Sequence, residues 1–169
     1  MTDADADAPI AWSDAFVLGH GPMDDTHREF VELVRAMQTA PDGRLAGLIA
    51  EFEAHARRHF EEEDRWMRET GFPPRDCHID EHARVLQSVG EVKLLADRGE
   101  VAEVRRLAAA LADWFPGHAD WLDSALAHWL CKRALGGKPV VVRRDLREAL
   151  AASREAVARD DDDARPVGG

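Results

Sequence analysis

Two residue pairs in this chain have a spacing suited to metal chemistry. His59 and Glu63 stand four apart, and so do His78 and His82. On an α-helix, residues four apart stack on one face. Facing inward, an imidazole beside a carboxylate, or two imidazoles together, can grip a metal ion. A solvated charged helix needs neither pair. Because His and Glu are also common on helix surfaces, the reading depends on partners from other segments. His27 supplies one, and His118 with Asp123 supplies two more.

Four helical stretches must position these groups. The spacing predicts a helix over about 24–39, with an inward stripe of His27, Phe30, Val34 and Met37 and Leu33 beside it. Ala40-Pro41-Asp42-Gly43 breaks it. A second helix over about 44–70 carries Leu45, Leu48, Phe52, His55, His59, Glu63 and then Trp66 or Met67 on one stripe. An unpaired Glu63 buried there would cost on the order of several kcal/mol, which a cation would remove. The bland alternative is a stripe drifting to the surface, because Arg57, Arg58, Glu61, Glu62 and Asp64 surround it.

Gly71-Phe72-Pro73-Pro74 is a firm stop. A third helix over about 76–97 continues His78 and His82 with Val85, Val89 and Val92. After Arg98-Gly99-Glu100, a fourth over about 101–135 points Val104, Leu107, Leu111 and Trp114 inward, with His118 following. Asp123 lies five residues beyond His118. In a regular helix that separates them by about 140° around the axis. Both reach one site only through a bend, for which Pro116-Gly117 offers a kink, or through two offset ions.

Short breaks between four helices give an all-α, antiparallel up-down-up-down four-helix bundle. An N-terminal arm precedes it and a C-terminal tail follows. The expected organisation is a disordered acidic lead over 1–11, the bundle over 12–135 and a tail over 136–169 that is at most a short helix and then disordered. The arm over 12–23 reads as irregular, anchored by Trp12, Phe16 and Leu18. Each helix offers a metal-capable residue on its inward stripe: His27, His59, Glu63, His78, His82, His118 and Asp123. Five imidazoles and two carboxylates exceed the four ligands of a zinc ion and suit two metal ions with the carboxylates as bridges.

Composition narrows the alternatives. The net charge of −11 over 169 residues argues against nucleic-acid binding, which needs clustered Lys and Arg. No apolar run is long enough to span a bilayer. The acidic start lacks a signal peptide's basic and apolar regions, so a cytoplasmic protein is expected. Cys77 and Cys131 form neither a CxxC pair nor a zinc spacing. The absence of tyrosine excludes tyrosyl-radical chemistry and tyrosinate ligands.

The segments MDDTHREF, HFEEEDRWM, GFPPRDCHIDEH and WFPGHADWLD resemble the hemerythrin family in its bacterial branch, over about 12–130. The resemblance implies a centre of two non-haem iron ions that binds dioxygen reversibly, in a carrier, storage or delivery protein. It assigns His78, His82 and His118 to one iron and His27 and His59 to the other, which keeps an open position for dioxygen. Glu63 and Asp123 bridge the two with an oxo or hydroxo group. The alternatives are an oxygen or redox sensor, or a di-iron protein handling peroxide or nitric oxide. No protein client is identified.

Phe30, Phe60, Trp66 and Trp114 are candidates for an apolar wall around the open position. His55, one turn before His59, reads as lining the pocket or standing behind the ligands. His20, His128, Cys77 and Asp120 are not expected to be ligands.

Overall fold

In the computed structural model, residues 8–136 are described; the lead over 1–7 and the tail from 137 onward lie outside them. Four long antiparallel helices form a bundle, with no strand among the described residues. Helix α1 spans Gly21–Thr39, α2 Asp42–Thr70, α3 Arg75–Ala96 and α4 Ala102–His118. The fourth helix does not stop at His118. It passes through a π-helical segment, Ala119–Asp123, into α5, Ser124–Ala134. The compact unit that holds the bundle runs to Leu130; from Cys131 the chain belongs to a second unit.

The breaks are local chemistry. Gly71 ends α2 at φ 65°, a left-handed conformation that costs glycine nothing, and the Phe72 N–H reaches back to the Met67 carbonyl at 2.9 Å. Pro73 and Pro74 follow. Between α1 and α2 the orphan carbonyls at the end of α1 are met from another helix. The Arg105 guanidinium on α4 donates to the Gln38 and Ala40 carbonyls at 3.1 and 2.7 Å, and to Asp42 at 2.6 Å.

Before α1 the arm is irregular apart from one short turn, and Trp12, Phe16 and Leu18 anchor it against the core. It forms one 3₁₀ turn at Asp14–Phe16, and α1 begins three residues earlier than the periodicity suggested. Pro22 sits in the first turn, where its missing N–H costs no helical bond, and buried Asp24 ties the arm back to the helix, its carboxylate accepting the Leu18 and Gly19 N–H groups at 2.7 and 3.0 Å. Trp12 lies under the Arg28 guanidinium, and the Phe16 ring meets Phe115 edge-on at 5.2 Å.

The core is split into two apolar layers. The larger holds Phe30, Phe52, Phe60, Val89 and Phe115; the smaller holds Met23, Met67, Phe72 and Leu126. The ligand candidates fall between them along every helix: His27 lies between Met23 and Phe30, Glu63 between Phe60 and Met67, and Asp123 between Ala119 and Leu126. On α2 the inward stripe continues through Met67, which is buried, and not through Trp66. On α4 the deepest aromatic ring is Phe115, while Trp114 is half-buried.

The larger layer can be tested apart from the site. Phe52 is fully buried and stacks edge-on with Phe30 at 5.1 Å. Phe52→Ala should lower the unfolding free energy by about 3–5 kcal/mol in a denaturant titration. Replacing Trp121, which is 80% exposed, with Ala should change it by less than about 0.5 kcal/mol.

Candidate metal centre

All seven sequence-derived candidates converge between the two layers, and all are buried. One atom from each of Glu63, His78, His82, His118 and Asp123 lies within 4.8 Å of all the others, and the same holds for His27, His59 and Glu63. Glu63 belongs to both groups.

The two carboxylates divide their oxygens between the groups. Glu63 Oε1 faces His59 Nε2 at 3.1 Å and His27 Nε2 at 3.7 Å, while its Oε2 faces His82 Nε2 at 3.3 Å and His78 Nε2 at 3.8 Å. Asp123 Oδ2 faces His27 Nε2 at 3.1 Å, while its Oδ1 faces His78 Nε2 at 3.0 Å and His118 Nε2 at 3.2 Å. The ring nitrogens of His78, His82 and His118 also crowd one another: His118 Nε2 is 3.2 Å from His78 Nε2 and 3.3 Å from His82 Nε2. Imidazole nitrogens bound to one ion at roughly 2.1 Å stand roughly 3.0–3.4 Å apart, depending on the bond angle.

His118 and Asp123 meet because of the π segment, not because of a proline kink. The Ser124 N–H bonds to the Ala119 carbonyl, an i→i+5 pattern. Five residues then make roughly one turn, so His118 and Asp123 lie over one another where a regular helix would set them about 140° apart. Pro116 stays within α4.

The electrostatics are those of a cation site. Burial and the Asp123 charge push the Glu63 carboxyl up, but His59 and His27 outweigh them and hold it well below the usual range. Burial also raises Asp123, and His118, His27 and His78 more than reverse it. Burial lowers His27, yet Asp123 and Glu63 bring it to about 9; burial lowers His82, and Asp64 with Glu63 bring it to about 9. His27 Nε2, Glu63 Oε2 and both Asp123 oxygens are buried with no aligned hydrogen-bond partner. Such atoms are costly unless a cation takes their lone pairs. The residues therefore fit metal ions.

The rings around the site belong mainly to the larger layer. Phe60 stacks on His82 at 4.0 Å and 7°, Trp114 covers His118 at 4.2 Å, and Phe115 meets His27 edge-on at 5.3 Å. Phe30 stands 6.3 Å from the His59 ring. Trp66 packs with the smaller layer, its ring against His20. His55 is buried but outside both ligand groups; its Nδ1 lies 3.4 Å from Glu29 Oε2 and its ring 5.7 Å from His59. Burial and the nearby His59, Arg58 and His27 lower it to about 4, so it is neutral at pH 7. His128, Cys77 and Asp120 are exposed and outside the cluster.

Sequence reasoning missed the carboxylates behind the rings. Asp64 Oδ1 lies 2.9 Å from His82 Nδ1, and Glu81 Oε1 lies 3.2 Å from His118 Nδ1 while accepting the Trp114 Nε1–H at 2.7 Å. Each adjoins a ligand candidate in sequence, Asp64 after Glu63 and Glu81 before His82. That adjacency was the available signal.

A four-helix bundle with a buried layer of five imidazoles and two shared carboxylates defines a metal-binding protein of the helical-bundle class. Residues 20–130 match the family model described as the hemerythrin HHE cation binding domain. The chain belongs to the hemerythrin family. It is 38% identical over 124 residues to a bacteriohemerythrin of Ralstonia nicotianae (strain ATCC BAA-1114 / GMI1000), covering 73% of this chain and 90% of that one. A bacteriohemerythrin of Stenotrophomonas maltophilia (strain R551-3) is 27% identical over 124 residues, covering 71% and 80%. The crystal structure of a hemerythrin mutant superposes with a TM-score of 0.66 at 19% identity, covering 73% of this chain and 98% of that one. That likeness bears on the fold.

Metal uptake should be opposed by acid. His27 and His82 hold protons up to about pH 9 in the metal-free protein, and a cation must displace them. Apparent affinity should therefore rise with pH up to about 9. Loading at pH 7.5 in weak buffer should release protons, which a pH indicator records. Bound metal should also raise the thermal midpoint. At a free concentration a hundred times Kd, the gain is about 2.7 kcal/mol per site, and a chelator should abolish it.

Proposed function

We propose that the centre holds two iron ions and binds dioxygen reversibly. His78, His82 and His118 would hold one ion, His27 and His59 the other, with Glu63 and Asp123 bridging them. One observation carries this reading: each buried carboxylate presents one oxygen to each histidine group. A carboxylate serving a single ion would have no reason to be shared in that way.

When bound, a pair of ferrous ions supplies the electrons by which dioxygen is taken up and given back. The chain supplies the setting. Five neutral imidazoles favour the ferrous state more than a carboxylate-rich set would. The two-histidine group has fewer ligand candidates, so it is the half with room for an added ligand. Phe30 and Phe115, both almost fully buried, wall that half and keep water from it. No helix among the described residues is long and apolar enough to cross a membrane.

The test is the visible spectrum of the iron-loaded, anaerobically reduced protein, with iron counted per chain. Admitting air should produce a charge-transfer band that argon removes, with about two irons per chain. A ferric spectrum that argon cannot reverse would overturn reversible binding.

A further inference from the structure

Carboxylate–imidazole pairs run from each helix to the next. Glu29 on α1 faces His55 on α2 at 3.4 Å, Asp64 on α2 faces His82 on α3 at 2.9 Å, and Glu81 on α3 faces His118 on α4 at 3.2 Å. The last two stand behind ligand candidates of the three-histidine group. The first stands behind His55, which is outside both groups. In the two-histidine group, the Nδ1 atoms of His27 and His59 are buried with no hydrogen-bond partner. The outer carboxylates thus serve one half of the centre only.

We propose that Asp64 and Glu81 are positioning residues for His82 and His118, and that they make the three-histidine half the one that takes up metal first and holds it longest. This rests on the ligand set proposed above. A carboxylate accepting the Nδ1–H fixes the tautomer, so the Nε2 lone pair points at the centre, and its charge makes that nitrogen a stronger donor. Both devices are themselves held in place. Glu81 is tied by the Trp114 N–H, and the Trp114 ring lies over His118, so carboxylate, indole and imidazole fix one another. Asp64 Oδ2 lies 3.4 Å from the Arg68 guanidinium, and the His82 ring is stacked flat on Phe60. His78 completes this half without an outer partner, its Nδ1 being buried and unpaired. His27 and His59 have no carboxylate at Nδ1; on that outer side their rings are held by packing, which sets a plane but not a tautomer.

The test loads the metal-free full chain anaerobically with two equivalents of ferrous iron and follows release to a ferrous chelator. The native protein should release iron in a fast and a slow phase of one equivalent each. Asp64→Asn and Glu81→Gln keep the side-chain size and an acceptor oxygen but remove the charge. Each should accelerate the slow phase, by roughly 10–100-fold, and leave the fast phase alone. Asp64→Glu should restore part of the slow phase. Glu29→Gln, which removes the charge facing His55, should leave both phases unchanged. Cobalt(II) gives a second readout: the visible band of the first equivalent should shift in Asp64→Asn and Glu81→Gln but not in Glu29→Gln. Release of both equivalents in one phase by the native protein, or equal acceleration of both phases in the two variants, would overturn the inference and leave the two-iron reading standing. A native chain retaining fewer than about two irons would overturn both.

Discussion

Two ionised carboxylates buried at the middle of the bundle are the constraint on which the rest depends. Glu63 and Asp123 are 1% and 0% exposed, at positions where a bundle of this size would ordinarily place leucine. Removing a carboxylate from water without compensation is costly enough that the group would normally take up a proton. Here five imidazoles surround the pair and keep both carboxyls ionised. The compensation is incomplete without a cation, because oxygen atoms on both acids remain without aligned donors. The layered core follows from this. Apolar residues above and below the polar layer exclude water, which strengthens each charge interaction within it.

The π segment is the backbone's answer to the same constraint. His118 and Asp123 must both point into the layer, yet they stand five residues apart on the fourth helix. A regular helix cannot deliver that; one turn with i→i+5 bonding can. The wider turn has worse backbone geometry than the α-helix it interrupts, and such turns persist where a site needs them. Trp121, in the same turn, is 80% exposed.

Much of this was legible in the sequence, for identifiable reasons. The seven ligand candidates could be found because helical periodicity places polar residues on otherwise apolar stripes, and three short breaks force those stripes to face each other. The resemblance added the pairing of histidines into a set of three and a set of two. What sequence could not supply was contact between helices. Asp64 and Glu81 sit one residue from a ligand candidate and so face aside on their own helices. Their targets, His82 and His118, lie on the next helix, 18 and 37 residues away. The i→i+5 bonding was equally hidden, since Pro116-Gly117 advertises a kink while the actual irregularity begins at Ala119. Asp24, which ties down the arm through two backbone N–H groups, was masked by its acidic neighbour Asp25.

The two halves of the centre differ in their surroundings, and the difference has a direction. Around His82 and His118 stand two further carboxylates, an indole N–H and a guanidinium. Around His27 and His59 stand Phe30 and Phe115, whose stacked rings are 4.9 Å apart. Anions beside one half favour a firmly held, fully coordinated cation there. An apolar wall beside the other gives water little purchase, and a small neutral molecule such as dioxygen loses little on leaving water to enter it. Under the proposed reading, the chain thus divides the labour between the halves: charge anchors one ion, and dryness keeps the other accessible to an uncharged ligand. His55 fits this division. It is neutral at pH 7, it is buried at the two-histidine end, and it brings no charge into the wall. Glu29, which faces it, is largely exposed and stays with the solvent.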